Sequence, residues 1–386
     1  MRLWPFRRRR APLLPLPADD LLITEERLRH AADGVLIVHE RQIRGPVIVF
    51  RGALQVEPAR AVDALIARFG AFGYTPFLKA ERDGGVAVQA WPLGDMTQEA
   101  RPRLALTLFA LTVLSTFAAG WAFFRGSETF DALRALPFPG FLLSGTPFAL
   151  TLLAILGVHE FGHYFTARHY GAAVSLPYFI PFPSLFGTLG AIIRMRSPAR
   201  DRNALFDIAA AGPLAGLLVA IPALVVGLWW SHLAPATGND GFGGFGYSLF
   251  TRLFVYLRFG SLDGMALTTH PMADAAWAGC FVTALNLLPV GQLDGGRITY
   301  ALSRRRHRAV GLATWAGLLL LAGLSWRAGA WNSAQVWCTW AFLLMFLVGF
   351  DHSPPLDDLT PLTPGRRLLG VFCLVLVVLL LPPIPI

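Results

Sequence analysis

The chain has 386 residues, 54% of them hydrophobic and only 15% charged, a balance that excludes an ordinary soluble domain and points to several membrane spans. Its formal charge of +9 would suggest nucleic acid in a soluble protein. Here the arginines flank apolar runs, where topology and anionic lipid account for them, so no nucleic-acid partner is expected.

Met1–Arg10 is basic. Residues 11–17 are broken by proline, too short for the apolar core of a secretory signal and not followed by a small-residue cleavage site, so no signal peptide is expected. Residues 1–103 read as a soluble α+β region. Gly34–His39 and Gly45–Phe50 are strand-like. Glu57–Phe69 carries Ala59, Val62, Leu65, Ile66 and Phe69 at helical spacing. Tyr74–Ala80 and Gly85–Trp91 flank Asp83-Gly84, a hairpin signal. The unit is thus of β-α-β-β type, with His30 and His39 as ordinary surface or strand histidines and no catalytic constellation.

Residues 104–350 form the membrane region. Spans are expected over Leu104–Phe124, Pro147–Tyr170, Ala204–Trp230, Ala273–Val290, Val310–Ser325 and Val336–Phe350. Gly212-Pro213 and Pro222 are expected to bend the third. Residues 171–203 do not look like a span: a proline-broken apolar stretch is followed by a short strand from Gly187 to Arg194. Irregular backbone at membrane depth must be buried or line a cavity, so this segment is expected to be a re-entrant β-hairpin or, alternatively, an interfacial loop. Residues 231–272 form a glycine-rich loop, with Leu249–Phe259 as an amphipathic surface helix. In the C-terminal region, 351–386, a linker precedes a short seventh apolar segment, Leu368–Leu381, which is tilted, extended into its flanks or not fully spanning. Cys280, Cys338 and Cys373 all lie in apolar segments without zinc-site spacing and read as small buried residues. With seven spans, Arg7–Arg10, Arg101, Arg103, Arg194, Arg196, Arg200, Arg202, Arg304–Arg306, Arg308, Arg366 and Arg367 fall on one side. That side is expected to be cytoplasmic, with the soluble region on it and the protein in the cell's inner membrane.

The second span contains His159-Glu160-Phe161-Gly162-His163, an H-E-x-x-H pattern. Residues four apart on a helix share a face, so His159 and His163 can hold one metal ion, with Glu160 close enough to take a proton from an activated water. An ionisable group at the bilayer centre costs roughly 2.5–3.5 kcal/mol on insertion scales, which makes such a cluster functional by default. A catalytic zinc takes three protein ligands and keeps one open position. Of the intramembrane acids, Asp207 and Asp274 sit at helix starts, where the dipole favours a carboxylate without metal. Asp294 lies after a span broken at Asn286 and Pro289 and before Gly295-Gly296, so it is the expected third ligand; a capping or salt-bridged aspartate is the alternative. His169, His232, His270, His307 and His352 lie in loops or at span ends and are not expected to bind metal.

His159–His163 together with Asn286–Gly296 resembles the site-2 protease family of intramembrane zinc metalloproteases. The resemblance covers about residues 140–300. Gly187–Gly190 and Phe206–Pro213 are similar to the bacterial and plastid branch with a soluble N-terminal segment. It implies an all-α polytopic membrane protein: a six-helix protease core with a re-entrant hairpin, one zinc ion held by His159, His163 and Asp294, and Glu160 acting on the water. It also implies cleavage of transmembrane protein substrates in the lipid bilayer, as in regulated intramembrane proteolysis. Many members carry a PDZ domain where this chain has only residues 231–272, too few for one, so by elimination the N-terminal region becomes the candidate recruiting module. The strand around Gly187 and Gly190 is expected to pair with an unwound substrate by β-strand addition. Asn286 either bonds the substrate backbone or is satisfied by its own neighbours. Homo-oligomerisation is compatible with this reading. The rival classes are an ion transporter, which gives no reason for Glu160, and a non-catalytic metal-binding adaptor, which would need a fourth ligand.

Overall fold

The computed structural model describes residues 18–81, 84–92, 101–123, 144–235, 246–262 and 264–384. The N-terminal region contains α1 (Ala18–Ala31), β1 (Leu36–Arg44), β2 (Val47–Leu54), α2 (Pro58–Gly70), β3 (Thr75–Ala80) and β4 (Val86–Trp91). The strands form an antiparallel sheet in the order β1-β2-β4-β3. Alternation sends Ile48, Phe50 and Val88 to the face covered by Leu28 of α1 and by Val62, Leu65 and Phe69 of α2. The observed order is α-β-β-α-β-β, so helix α1 and a second strand before α2 are additions to the expected β-α-β-β order. The acids and bases of α1 mask the period, and Leu28 is its one fully buried large side chain. The expected Asp83 turn lies outside the described residues. His30 and His39 are exposed, His39 at a bulge between Val38 and Glu40.

The membrane region begins with α3 (Pro102–Phe123) and α4 (Thr146–His169). Next come β5 (Tyr178–Pro181) and β6 (Thr188–Ile192), which pair antiparallel, and then the long α5 (Arg202–Trp229), which runs through Pro213 and Pro222. Strands β7 (His232–Pro235) and β8 (Met265–Thr268) pair around α6 (Leu249–Phe259), whose bounds match the expected surface helix. The rest is α7 (Pro271–Asn286), α8 (Asp294–Leu302), α9 (His307–Arg327), α10 (Trp331–Leu343, continued by a π turn over Leu344–Val348) and α11 (Pro364–Leu380). Among the described residues, five helices are long and apolar enough to cross a bilayer: α3, α4, α5, α9 and α10 with its π turn. The chain is a polytopic membrane protein. Helices α7 and α11 are shorter, and α7 is the most enclosed, with Trp277, Cys280 and nearly all its other side chains buried among its neighbours.

Two corrections concern single residues. Cys338 is exposed on the outward face of α10, while Cys280 and Cys373 are buried as expected. Asp207 lies beyond the first turn of α5, whose N-cap is Asp201. An ion pair rather than the helix dipole holds it: Arg366 of α11 donates to it at 2.6 and 2.7 Å, and the Tyr170 hydroxyl donates as well. Asp274, in the first turn of α7 as expected, accepts from the Thr269 hydroxyl at 2.6 Å.

Candidate metal centre

Helix α4 carries His159 and His163 one turn apart, on the face turned toward α5 and α8. Both are buried, as is Asp294 at the first position of α8. The turn between α7 and α8 brings that carboxylate in. Gly291 has φ +49°, and a Cβ there would lie 2.0 Å from the Gly349 carbonyl oxygen. A Cβ on Gly295 would lie 1.7 Å from the Leu287 carbonyl oxygen. Only glycine lets α8 fold back this tightly on the end of α7.

Three atoms converge. His163 Nε2 is 3.2 Å from His159 Nε2 and 3.1 Å from Asp294 Oδ2, and His159 Nε2 is 3.6 Å from the same oxygen. Nitrogen and oxygen ligands bound tetrahedrally at about 2.0–2.2 Å lie about 3.3–3.6 Å from one another, so the spacing fits zinc. The donor chemistry fits too. His163 Nδ1 is 2.6 Å from the Ile208 carbonyl oxygen. A carbonyl can only accept, so Nδ1 carries the proton and Nε2 offers its lone pair to the cluster. Among the described residues no other group of three or more potential ligands converges in this way; His169, His232, His270, His307 and His352 all lie outside it.

Small residues on α5 make room for the imidazoles. A Cβ on Gly212 would lie 2.1 Å from His163 Nε2, and one on Gly216 3.2 Å from the His159 Cβ. On α4 itself, a Cβ on Gly162 would lie 2.7 Å from the Ala211 carbonyl oxygen. In the sequence Gly212 stands out as part of a bend and of the Phe206–Pro213 stretch. The signal for its packing role is the pair of glycines four apart, which puts a flat stripe on one side of a membrane helix. The Ile208 carbonyl has no sequence signal at all, since every residue carries one.

Glu160 is buried beside the histidines, next to the Ile193 backbone just past β6. Arg297, one turn along α8, lies 3.8 Å from Asp294 Oδ1. The hairpin is tied to α3. The Ser115 hydroxyl donates to the Gly187 carbonyl at 2.6 Å, and a Cβ on Gly187 (φ +73°) would meet the Ser115 carbonyl oxygen at 2.3 Å. Gly187 therefore packs on the first span, whereas Gly190 (φ +99°) has open space around it. Asn286 closes α7, half-buried, at the start of the turn that leads to Asp294.

The model of peptidase family M50 matches residues 147–324, which include both histidines, Glu160 and Asp294. The chain is 31% identical over 304 residues to the "Probable zinc metalloprotease EGY1, chloroplastic" of Arabidopsis thaliana, covering 73% of this chain and 53% of that protein. It is 30% identical over 356 residues to the "Probable zinc metalloprotease EGY2, chloroplastic" of Oryza sativa subsp. indica, covering 88% and 62%. For the EGY2 protein of Arabidopsis thaliana the identity is 29% over 361 residues, covering 88% and 60%. The chain thus spans between half and two thirds of the length of these relatives. No solved structure matches it.

Proposed function

We propose, from the match of the peptidase family M50 model to residues 147–324, that the chain is an intramembrane zinc metalloprotease of the site-2 type. Its reaction is hydrolysis of peptide bonds within or near the transmembrane segments of other membrane proteins. The observation that carries this reading is the buried convergence of His159, His163 and Asp294 beside Glu160, on helices of a membrane protein.

His159, His163 and Asp294 would hold the zinc, which when bound would supply Lewis-acid polarisation of the scissile carbonyl and a water nucleophilic near neutral pH. Glu160 takes the proton from the attacking water and delivers it to the leaving amine. The Ile208 carbonyl holds His163 in the tautomer that presents Nε2. A substrate helix hides its carbonyls in hydrogen bonds, so the scissile segment must be extended. Strand β6 runs directly into the Glu160 contact, and its edge serves as the template on which that segment is laid, with Gly190 giving the backbone room. Asn286 hydrogen-bonds the exposed substrate backbone.

The membrane region, 104–350, then acts as the protease core, with the β5–β6 hairpin as a re-entrant element. Residues 1–103 form a cytoplasmic module of a cell-membrane protein, and 351–386 close the structure. The relatives named above are called zinc metalloproteases, in keeping with this reading. A structural zinc would need a fourth protein ligand, and among the described residues the group has three. The test uses the full chain in a bilayer mimetic, with metal analysis and a transmembrane reporter. About one zinc per chain and cleavage that is lost in Glu160→Gln are expected. Turnover that survives Glu160→Gln refutes the catalytic assignment, and metal-dependent ion flux without cleavage would identify a transporter instead.

A further inference from the structure

The segment after α10 crosses from the membrane region to the soluble unit and back. Leu356 is buried in the soluble core with Leu78. Residues 356–358 act as a middle strand between two neighbours. On one side the Leu78 N–H donates to the Leu356 carbonyl at 2.8 Å and the Asp358 N–H to the Leu78 carbonyl at 3.1 Å. On the other, the N–H groups of Leu356 and Asp357 donate to the carbonyls of Ala199 and Arg200 at 2.9 and 2.8 Å. The two contacts are parallel bridges, of Asp357 with Leu78 and with Asp201 just ahead of α5. The buried Asp357 carboxylate stiffens the strap by accepting from the N–H groups of Leu359 and Thr360.

Asp358, next in the chain, meets the C-terminal end of α8. It is buried, and its Oδ2 accepts from the Tyr300 hydroxyl at 3.0 Å and from Arg304 Nη1 at 2.8 Å. Tyr300 stands near the C-terminal end of α8 and Arg304 just past it, while Asp294 is that helix's first residue. From Asp294 to Tyr300 is about 9 Å along the axis at about 1.5 Å per residue. A tilt of roughly 5° over that lever moves the Asp294 end by about 0.8 Å, several times the ~0.2 Å tolerance of a metal–ligand bond.

We propose that Asp358 is a positioning residue for the metal site: through Tyr300 and Arg304 it clamps the far end of α8 to a strap that is itself paired to the soluble unit. Asp294 then stays in reach of His159 and His163 only while the strap is docked. Residues 1–103 thereby control the protease through the geometry of one metal ligand as well as through recruitment. This rests on the metalloprotease reading above.

The test compares the full chain in a bilayer mimetic with Asp358→Asn, Tyr300→Phe, the double variant and Leu356→Ala, which loosens the strap without touching α8. Zinc retention against a chelator is read together with kcat and KM on a transmembrane reporter. Asp358→Asn and Tyr300→Phe are expected to weaken zinc retention about tenfold each, the low end for groups that orient a ligand. They are expected to lower kcat with KM unchanged and to combine less than additively. Leu356→Ala shifts zinc retention the same way. Tyr300→Phe removes a single hydroxyl, so it remains informative if Asp358→Asn fails to fold. Wild-type zinc retention and kcat in a folded Tyr300→Phe or Asp358→Asn protein overturn the clamp. An unchanged Leu356→Ala overturns the role of the soluble unit. Both results leave the metalloprotease reading standing if the wild type binds zinc and cleaves, whereas a wild type without zinc overturns both.

Discussion

Gly212→Ala tests the packing beneath the metal centre. The added Cβ would lie 2.1 Å from His163 Nε2 and 2.5 Å from the Cδ2 and Cε1 atoms, about 1.3 Å short of the 3.4 Å where ordinary contact begins. The ring has no slack to give. Its Nδ1 is bonded to the Ile208 carbonyl at 2.6 Å, and it packs edge-on against His159 with centroids 4.9 Å apart. A shift of that size is several times the ~0.2 Å tolerance of a metal site. Zinc retention should therefore fall by about 100-fold or more, the upper range for disturbed ligand geometry, and reporter cleavage with it. Overpacking costs about 1–3 kcal/mol and outweighs the ~1 kcal/mol that alanine gains over glycine in a helix, so the chain should also melt at a lower temperature. Two companions grade the effect. Gly216→Ala meets the His159 Cβ at 3.2 Å and should cost several-fold. Gly157→Ala, with nothing within 4 Å, should keep full zinc and turnover. Chelator competition, thermal melts and reporter cleavage read all three variants. A Gly212→Ala protein that matches Gly157→Ala in zinc retention and turnover refutes the argument.

Ser115→Ala removes the hydroxyl that ties α3 to Gly187. It should cost about 1 kcal/mol of stability and raise reporter KM more than it lowers kcat, as measured by steady-state cleavage. Asp207→Asn weakens the link from α5 to Arg366 of α11 and to Tyr170. A loss of about 2 kcal/mol is expected for charge-assisted bonds, and Asp207→Asn with Arg366→Gln should be less than additive in denaturation. His352, in the linker after α10, is pushed down to about 3 by burial, with the positive Arg297 and neighbouring His307 acting the same way. Its folded pKa is below its unfolded one, so stability is whole above about 6.5 and is lost as pH falls from there toward 3, because the unfolded chain binds the proton first. The slope is at most about 1.4 kcal/mol per pH unit and smaller where solvent reaches the ring. Unfolding curves at pH 7 and pH 5 should converge in His352→Gln.

Periodic and local features were legible in the sequence. Five of the expected apolar runs fall on helices long enough to cross a bilayer. The surface helix over Leu249–Phe259 and the placing of His159 and His163 on one helical face need only the 3.6-residue repeat, which neighbouring residues impose on one another. Helix α1 escaped because its charges surround the few side chains it buries. Helix α8 escaped because an apolar run carries no mark of where a chain turns back, and the glycines that permit the turn are informative only once the carbonyls opposite them are known.

What tertiary structure alone decided is which distant groups touch. Asp294 stands 131 residues from His163, and elimination among acids could nominate it but could not bring its oxygen to 3.1 Å. Asp207 looked like a helix-start acid until α11 brought Arg366 to it, and Gly212 looked like a bend until α4 lay across it. The strap through Leu356–Asp358 has no periodicity of its own, and its hydrogen bonds go to two segments that sequence separates widely. Local conformation follows from short-range sterics and backbone bonding, whereas these meetings depend on how whole helices close-pack, a property of all the side chains together.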